Sequence, residues 1–275
     1  MIEESSNLRV DVRSVIKSKN PALLRYIPGF IIRAIEKLIC QNDINYILDN
    51  YGHLTGVDFA TASVNELKAT YKVNGIEKID PTKRYVIVSN HPLGGFDGII
   101  LMDIFGNHFN KKIRFVVNDL LMSIKPLKPI FVPVNKYGKQ SNAIVNQIHE
   151  AYSSDNQILN FPAGLCSRLI DGNITDLEWK KGFVNQAIKY NRDIVPIYFN
   201  GKNSRFFYVF ANIRKWLGIK FNYELILLPR EMFRQRGGNF EVIIGDPIQW
   251  EEFANNGTPA TWAEKIRNIV YSLKP

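Results

Sequence analysis

A histidine and an aspartate close together in this sequence have side chains suited to proton transfer. His91 and Asp97 lie in the stretch NHPLGGFDG, residues 90–98. A carboxylate bonded to one imidazole nitrogen fixes the tautomer of the ring and leaves the other nitrogen free to take a proton. We therefore interpret His91 as a general base that Asp97 orients. The structural alternative is that Asp97 caps a helix, with Pro92 and Gly94 as turn residues.

The segments on either side of this stretch must position the two side chains. Tyr85–Ser89 is an apolar run that predicts a short buried strand, and the apolar residues after Gly98 predict a helix over about Asp97–Phe109. His91 then follows the end of a strand. In α/β sheets, ligands bind in the loops beyond the carboxyl ends of the strands, which is where this histidine is expected.

Strand and helix patterns alternate along most of the chain. They predict an α/β fold with a largely parallel sheet flanked by helices and preceded by an N-terminal helical segment. The predicted strands are Lys68–Val73, Tyr85–Ser89, Ile113–Val117, Ile130–Val134, Gln157–Phe161, Ile194–Tyr198 and Phe240–Ile244. The predicted helices are, approximately, Asp58–Leu67, Asp97–Phe109, Ser141–Tyr152, Trp179–Tyr190 and Pro259–Leu273.

The composition is that of an ordinary globular protein with a basic surface. The 275 residues are 45% hydrophobic and carry a net charge of +9, which suits nucleic acid, an anionic membrane or a phosphorylated substrate. The basic residues are spread along the chain without a nucleic-acid motif, so we expect no nucleic-acid partner. Cys40 and Cys166 are too few for a disulfide framework or a zinc site, and we expect no metal and a reducing, intracellular setting.

Two apolar segments with interspersed basic residues point to a membrane surface. Residues 1–6 do not resemble a signal peptide, and no apolar run is long enough to span a bilayer. Residues 21–39 predict a helix broken at Pro28-Gly29 that rests in the headgroup zone. Residues 206–217 fit either an interfacial helix or a helix buried against the sheet. We expect a membrane-associating segment over residues 1–67, an α/β domain over residues 68–275, and peripheral attachment at the cytoplasmic face.

Polar residues also follow other predicted strands and begin a predicted helix. Guanidinium and ammonium groups in such loops suit a phosphate or a carboxylate. Because the carboxyl ends of parallel strands share one edge of a sheet, we expect these side chains to surround one anionic substrate near His91. The candidates are Asn135, Lys136, Gly164, Ser167, Arg168, Lys180 and Lys181.

Four blocks of the sequence resemble the glycerophospholipid acyltransferase superfamily, typified by the 1-acylglycerol-3-phosphate O-acyltransferases. Residues 90–97 are similar to its His-x4-Asp block, residues 130–136 to its second block, FPAGLCSR at 161–168 to its Phe-Pro-Glu-Gly-Thr-Arg-Ser block, and IVPI at 194–197 to its last block. The order and spacing agree over roughly half the chain.

The departures from that pattern bear on the substrate. Five residues separate His91 from Asp97 instead of four, which a bulge at Gly94-Gly95 accommodates. Ala163 and Cys166 stand where the family has a glutamate and an arginine implicated in binding the acceptor phosphate. The NHPLGGxDG variant resembles bacterial hemolysin-like proteins and proteins of amino-acid lipid synthesis. The resemblance therefore implies a lyso-amino-acid lipid acceptor, such as an N-acylated ornithine or glycine bearing a 3-hydroxyl, or a lysophospholipid.

The resemblance also implies a mechanism. His91 would take the proton of an acceptor hydroxyl as its oxygen attacks an acyl thioester of coenzyme A or acyl carrier protein, with no bound cofactor. Backbone amides near Gly94, Gly95 or Gly164 would hold the tetrahedral oxyanion. The anion-binding candidates would neutralise the acceptor head group or the phosphates of the donor. The sequence lacks a Gly-x-Ser-x-Gly nucleophile elbow, and we expect no covalent acyl-enzyme.

Other functions on the same fold remain open at this point. A non-catalytic lipid-binding or scaffold protein would explain the altered blocks, and an acyl-ester hydrolase would use water in place of the hydroxyl acceptor. His53, His108 and His149 have no paired carboxylate in a strand-end setting, so we interpret them as surface or capping residues. We expect Cys166 to be non-catalytic, because the sequence identifies no base for it.

Overall fold

The computed structural model describes residues 8–19, 26–134 and 141–275. Within these ranges, nine strands form a seven-stranded sheet and a small two-stranded hairpin. The strands are β1 Thr70–Asn74, β2 Tyr85–Ser89, β3 Ile113–Asn118, β4 Phe131–Val134, β5 Gln157–Asn160, β6 Arg168–Ile170, β7 Asn173–Thr175, β8 Asp193–Asn200 and β9 Asn239–Ile244. The α-helices are α1 Val12–Lys19, α2 Gly29–Leu38, α3 Gln41–Tyr51, α4 Val57–Glu66, α5 Phe96–His108, α6 Asn142–Ser153, α7 Gly182–Lys189, α8 Arg205–Trp216, α9 Leu228–Arg234, α10 Trp250–Asn255 and α11 Pro259–Ser272.

The large sheet has the order β1-β9-β8-β2-β5-β3-β4. The five strands from β8 to β4 are parallel to one another, while β9 pairs antiparallel with β8 and parallel with β1. The predicted α/β class with a largely parallel sheet is confirmed. The carboxyl ends of β2, β5 and β8 therefore lie side by side at one edge, and the loop that carries His91 leaves from the middle of that edge.

Both faces of the central strand β2 are buried, as expected for a parallel strand covered by helices on both sides. Tyr85 and Ile87 of β2 face one apolar core, which α4 and α5 cover. Val86 and Val88 face the other core, which α6, α7 and α11 cover. This alternation follows from the two-residue period of a strand. Packing on both faces fixes the position of β2 in the sheet beneath the candidate site.

The sequence patterns predicted the bounds of the buried strands closely, but they missed one short hairpin and the direction of one strand. The bounds of β2 match the prediction, and most other predicted elements are shifted by one to three residues. The hairpin β6–β7 was not predicted, because its short strands carry no clear alternation of apolar residues. The reversed direction of β9 was not predicted either, since the periodicity of a strand is the same in both directions.

The N-terminal helices pack onto the domain that carries the sheet. The predicted break at Pro28-Gly29 corresponds to the start of α2 at Gly29, with Pro28 as its N-cap; residues 21–25 lie outside the described part of the chain. The side chains Val57, Phe59 and Val64 of α4 belong to the main core. The proposed division at residue 67 stays a prediction. No helix in the described ranges is both long enough and apolar enough to cross a bilayer.

Candidate active site

His91 and Asp97 form the hydrogen-bonded pair that their spacing predicts. The Nδ1 atom of His91 lies 2.9 Å from Oδ2 of Asp97. The Asp97 side chain is completely buried, while the His91 side chain is 14% exposed. With Nδ1 held by the carboxylate, Nε2 is the nitrogen left to exchange a proton with a substrate.

The Asp97 carboxylate accepts four hydrogen bonds, two on each oxygen. Oδ2 accepts from His91 and from the amide of Leu93, and Oδ1 accepts from the amides of Gly95 and Gly98. Burial alone would raise the pKa of Asp97. The charge of His91 and the hydrogen bonds from His91, Leu93 and Gly98 outweigh that effect, so the pKa of Asp97 lies below its ordinary value. Asp97 is therefore ionised at neutral pH and available to stabilise an imidazolium.

Gly94 makes the longer His–Asp spacing possible. Its φ angle is +74°, a left-handed conformation that favours glycine. A Cβ atom at this position would lie 2.7 Å from Cδ2 of Leu228 and 2.9 Å from Cβ of Cys166. The loop can thus contain one residue more than the family pattern and still bring Asp97 onto His91.

Two residues outside the predicted site hold the histidine loop in place. The side-chain amide of Asn90 donates to the carbonyl of Phe199 at 3.0 Å and accepts from its N–H at 2.7 Å, which joins the end of β2 to β8. The ring of Phe161, just past β5, stacks on the His91 ring with centroids 3.8 Å apart. Phe161 opens the third family block, and this is the sequence signal that could have identified it.

The three predicted oxyanion amides are not equivalent in the structure. The Gly95 amide donates to Asp97 at 3.0 Å, and the Gly164 amide donates to the carbonyl of Phe161 at 2.9 Å. Both are therefore occupied by the fold. Among the described residues, the Gly94 amide has no hydrogen-bond acceptor. Of the three, Gly94 is the one whose N–H remains available to a developing oxyanion.

Asp176, which the sequence analysis missed, lies beneath the histidine and joins three loops. Its Oδ1 accepts from the backbone amide of His91 at 3.2 Å and from the Ser167 hydroxyl at 2.5 Å, and its Oδ2 accepts from the indole of Trp179 at 2.9 Å. Burial raises the pKa of Asp176, against the opposing hydrogen bonds. No sequence signal marked this residue, because its link to His91 joins positions 85 residues apart in the chain.

We expect the Asp176→Asn substitution to lower kcat by about tenfold, because the side-chain NH2 group would face either the Trp179 indole N–H or the donors from His91 and Ser167. KM for the acceptor should change much less, since Asp176 positions His91 without contacting substrate. Steady-state kinetics on the purified protein measure both constants.

The control for this prediction removes the opposing donor. The double variant Asp176→Asn/Trp179→Phe has no indole N–H to clash with the new amide, so kcat should recover relative to Asp176→Asn alone. Equal kcat values for Asp176→Asn and the unmodified protein would show that this network does not position the histidine.

Arg168, predicted to bind substrate, is part of a buried ion-pair cluster. Its Nη2 donates to Oε1 of Glu224 at 2.7 Å, and its Nη1 donates to the carbonyl of Cys166 at 2.6 Å. The Nε atom of Arg214 lies 2.7 Å from the other Glu224 oxygen, an ion pair without the alignment of a hydrogen bond. In this arrangement Arg168 fastens the loop after β5 to the 3-10 turn Tyr223–Leu227; contact with substrate stays a prediction.

The two altered family positions are buried, and the Arg168 guanidinium lies beside one of them, with its Nη1 atom 2.9 Å from Sγ of Cys166. Ala163 is buried in the core beneath α7, and Cys166 is buried with Phe207 and Leu227. Burial raises the pKa of the Cys166 thiol to about 11, so this thiol is protonated at neutral pH and a poor nucleophile. The environment of Cys166 agrees with the interpretation that it is non-catalytic.

Some of the remaining predicted site residues lie near the histidine loop or the turn that contains Gly164. Ser167 joins the histidine loop, since its amide donates to the carbonyl of His91 at 2.8 Å. The Lys180 amide donates to the carbonyl of Pro162 at 3.1 Å, which places the exposed Lys180 and Lys181 beside the turn that contains Gly164. Asn135 and Lys136 lie outside the described residues.

The other histidines are remote from this arrangement. His53 and His149 are exposed, and Nδ1 of His149 lies 2.6 Å from the Tyr190 hydroxyl. His108 is in the last turn of α5. These positions agree with surface or helix-terminal roles.

Comparisons with known proteins identify the family of this chain. A family model described as Acyltransferase matches residues 14–275. A lyso-glycine lipid O-acyltransferase of Bacteroides thetaiotaomicron is 44% identical over 98% of this chain and 99% of its own, and one of Phocaeicola vulgatus is 42% identical over 98% and 97%. The crystal structure of the 1-acyl-sn-glycerophosphate acyltransferase PlsC from Thermotoga maritima covers 95% of this chain and 98% of its own, with 16% identity and a TM-score of 0.46. The chain belongs to the acyltransferase family of the glycerophospholipid acyltransferase superfamily.

Proposed function

We propose that this protein transfers a fatty acyl group from an acyl thioester to the hydroxyl of a lyso-amino-acid lipid, in particular a lyso-glycine lipid. The observation that carries the proposal is the His91–Asp97 pair at 2.9 Å at the carboxyl edge of the sheet. The names of two relatives that match nearly the full chain support the choice of acceptor. A scaffold protein would have no use for a partly exposed imidazole held by a buried carboxylate.

The proposed reaction is a direct transfer. Nε2 of His91 takes the proton of the acceptor hydroxyl while the hydroxyl oxygen attacks the thioester carbonyl carbon. The Gly94 amide donates to the oxyanion of the tetrahedral intermediate, and Asp97 stabilises the imidazolium. The intermediate collapses as the C–S bond breaks, and the imidazolium returns its proton to the departing thiolate. The products are the ester and a free thiol, and the enzyme is unchanged.

The altered family positions favour an acceptor without a phosphate. Ala163 and Cys166 place apolar groups in a buried setting where the family has charged side chains. The Arg168 guanidinium beside Cys166 is already paired with the Glu224 carboxylate, so without the family's arginine this part of the site is less suited to a phosphate dianion. The exposed ammonium groups of Lys180 and Lys181 would pair with the carboxylate of a glycine head group or with the phosphates of the donor.

The membrane is the source of the acceptor in this proposal. A lipid with one acyl chain is presented at a bilayer surface, and we propose peripheral association there, on the cytoplasmic side, where coenzyme A and acyl carrier protein are found. The N-terminal segment, residues 1–67, would contribute through the exposed side chains of Tyr26 and Phe30, which are 82% and 65% exposed.

The function is tested by incubating the purified protein with a labelled acyl thioester and a panel of lysolipids. We expect a diacylated product with lyso-glycine lipid, less product with lyso-ornithine lipid, and little with 1-acylglycerol-3-phosphate. Parallel reactions with acyl-coenzyme A and acyl carrier protein thioester identify the donor. Free thiol and free fatty acid without a lipid product would indicate hydrolysis. Absence of thioester consumption with every acceptor would favour a lipid-binding scaffold.

A further inference from the structure

Helix α8 and the segment that follows it carry an unusual density of exposed apolar side chains. Within the described part of the chain, nineteen large hydrophobic residues are exposed, and ten of them fall between residues 206 and 226. We call these ten the aromatic face. They are Phe206, Val209, Phe210, Ile213, Trp216, Leu217, Ile219, Phe221, Tyr223 and Ile226.

The two sides of α8 differ in what they contact. Phe207, Tyr208 and Ala211 are buried against the domain. Phe206, Val209, Phe210, Ile213 and Trp216 recur at intervals of three and four residues and therefore share the opposite side. Trp216 is 83% exposed and Phe206 is 52% exposed. A surface helix normally turns polar side chains outward, so an apolar outer side indicates contact with an apolar phase.

The charge of this region is uniformly positive. Residues 202–221 contain five basic residues, Lys202, Arg205, Arg214, Lys215 and Lys220, and no acidic residue. Arg214 is mostly buried and paired with Glu224, and the other four are exposed. The two carboxylates that follow are buried: Glu224 pairs with Arg168 and Arg214, and Glu231 accepts from the amide and hydroxyl of Ser204. Exposed aromatic side chains bordered by basic groups, without exposed acids, match the acyl boundary and the anionic headgroups of a lipid bilayer.

The aromatic face begins beside the candidate active site. Asn203, just before α8, donates from Nδ2 to the carbonyl of Pro92 at 3.2 Å. On the inner side of the helix, the Arg168 guanidinium lies 5.8 Å from the centroid of the Phe207 ring. These contacts fix α8 to the loops that carry His91 and Ser167, so a bilayer against the aromatic face would lie next to the catalytic pair.

We propose that the aromatic face is the surface on which this protein docks onto an anionic lipid bilayer. The proposal rests on the proposed function for its link to catalysis, because docking there would deliver a membrane-borne acceptor to His91. The aromatic side chains would enter the headgroup and acyl boundary, and the basic side chains would contact anionic headgroups. The sequence left a buried and an interfacial helix open for residues 206–217, and the structure gives α8 one buried side and one exposed apolar side.

The test measures binding of the full-length protein to vesicles and needs no turnover. The protein is centrifuged with vesicles of phosphatidylcholine alone or phosphatidylcholine with phosphatidylglycerol. We expect binding to the anionic vesicles that weakens with added salt. Phe206→Glu and Trp216→Glu should each lower the partition coefficient by about tenfold or more. The control is Val145→Glu on α6, where the native side chain is 50% exposed, and it should bind like the unmodified protein.

Fluorescence gives an independent readout. The chain has four tryptophans, and the other three, Trp179, Trp250 and Trp262, are buried or half-buried. Brominated lipids should quench the emission of Trp216, and Trp216→Phe should abolish that quenching. Unchanged vesicle binding in Phe206→Glu and Trp216→Glu, or no quenching, would overturn the proposal.

Activity assays separate this proposal from the proposed function. With a short-chain acceptor that stays monomeric in water, Phe206→Glu should transfer acyl groups at the unmodified rate, while its rate on vesicle-borne acceptor falls. A different outcome is that the transfer rate of Phe206→Glu with an acyl carrier protein donor falls equally on the monomeric and the vesicle-borne acceptor while vesicle binding stays normal. That result would assign the surface to the carrier protein and contradict bilayer docking. An inactive protein that still binds vesicles through Trp216 would refute only the proposed function.

Discussion

The His91→Ala variant is expected to lose about 10²- to 10⁴-fold in kcat, because no other described side chain is placed to take the acceptor proton. The loss should appear with every competent acceptor and donor. Thioester consumption and formation of the diacylated product, measured in the same reaction, give the rate. Added imidazole should restore part of the activity, since the substitution leaves a cavity beside Phe161 and Asp97.

The fold should survive this substitution. His91 contributes one side-chain hydrogen bond and its stacking on Phe161, and losing the stacking costs about 1 kcal/mol. Thermal unfolding and vesicle binding of the variant serve as controls. If folded His91→Ala protein turned over at the unmodified rate, His91 would not be the general base, and the proposed mechanism would have to be abandoned.

The Asp97→Asn variant is expected to combine a large loss of kcat with a loss of stability. Asparagine has one acceptor oxygen where aspartate has two, and each Asp97 oxygen accepts two hydrogen bonds. The new NH2 group must therefore face two donors, either those of His91 and Leu93 or those of Gly95 and Gly98. We expect a loss of about 1–3 kcal/mol in the free energy of unfolding. The loss of kcat should approach the roughly 10⁴-fold effect seen when a catalytic histidine loses its carboxylate partner.

The stability effect has a predictable dependence on pH. The pKa of Asp97 is below its ordinary value in the folded protein, so the carboxylate stabilises the fold above the pKa of an unfolded aspartate, about 4. That stabilisation disappears as the pH falls through the lowered pKa. The difference in unfolding free energy between the unmodified protein and Asp97→Asn should therefore narrow below about pH 4. Denaturant titrations across the acid range measure it, and a difference that widened at low pH would contradict the proposed role of the carboxylate.

The His91–Asp97 hydrogen bond could be predicted from the sequence because its determinants are local. A buried strand, a glycine pair and a helix start follow one another within residues 85–98, and together they dictate that His91 and Asp97 can meet. The apolar patterns of β2, β3 and β5 likewise reflect burial of both strand faces, which is a property of each segment alone. The α/β class follows from these local patterns.

The supporting contacts depended on the tertiary structure. Asp176 lies beneath His91, and Glu224 holds Arg168, only because residues 85 and 56 positions apart in the chain are packed together. No local pattern encodes such pairings, so the sequence did not reveal Glu224 as the partner of Arg168 and missed Asp176; contact of Arg168 with substrate stays a prediction. The direction of β9 and the choice of which side of α8 faces outward also depend on tertiary packing, because the neighbours of each element determine them. The sequence determined which residues can do the chemistry, and the tertiary structure decided which side chains hold them in place, because that depends on neighbours distant in the chain.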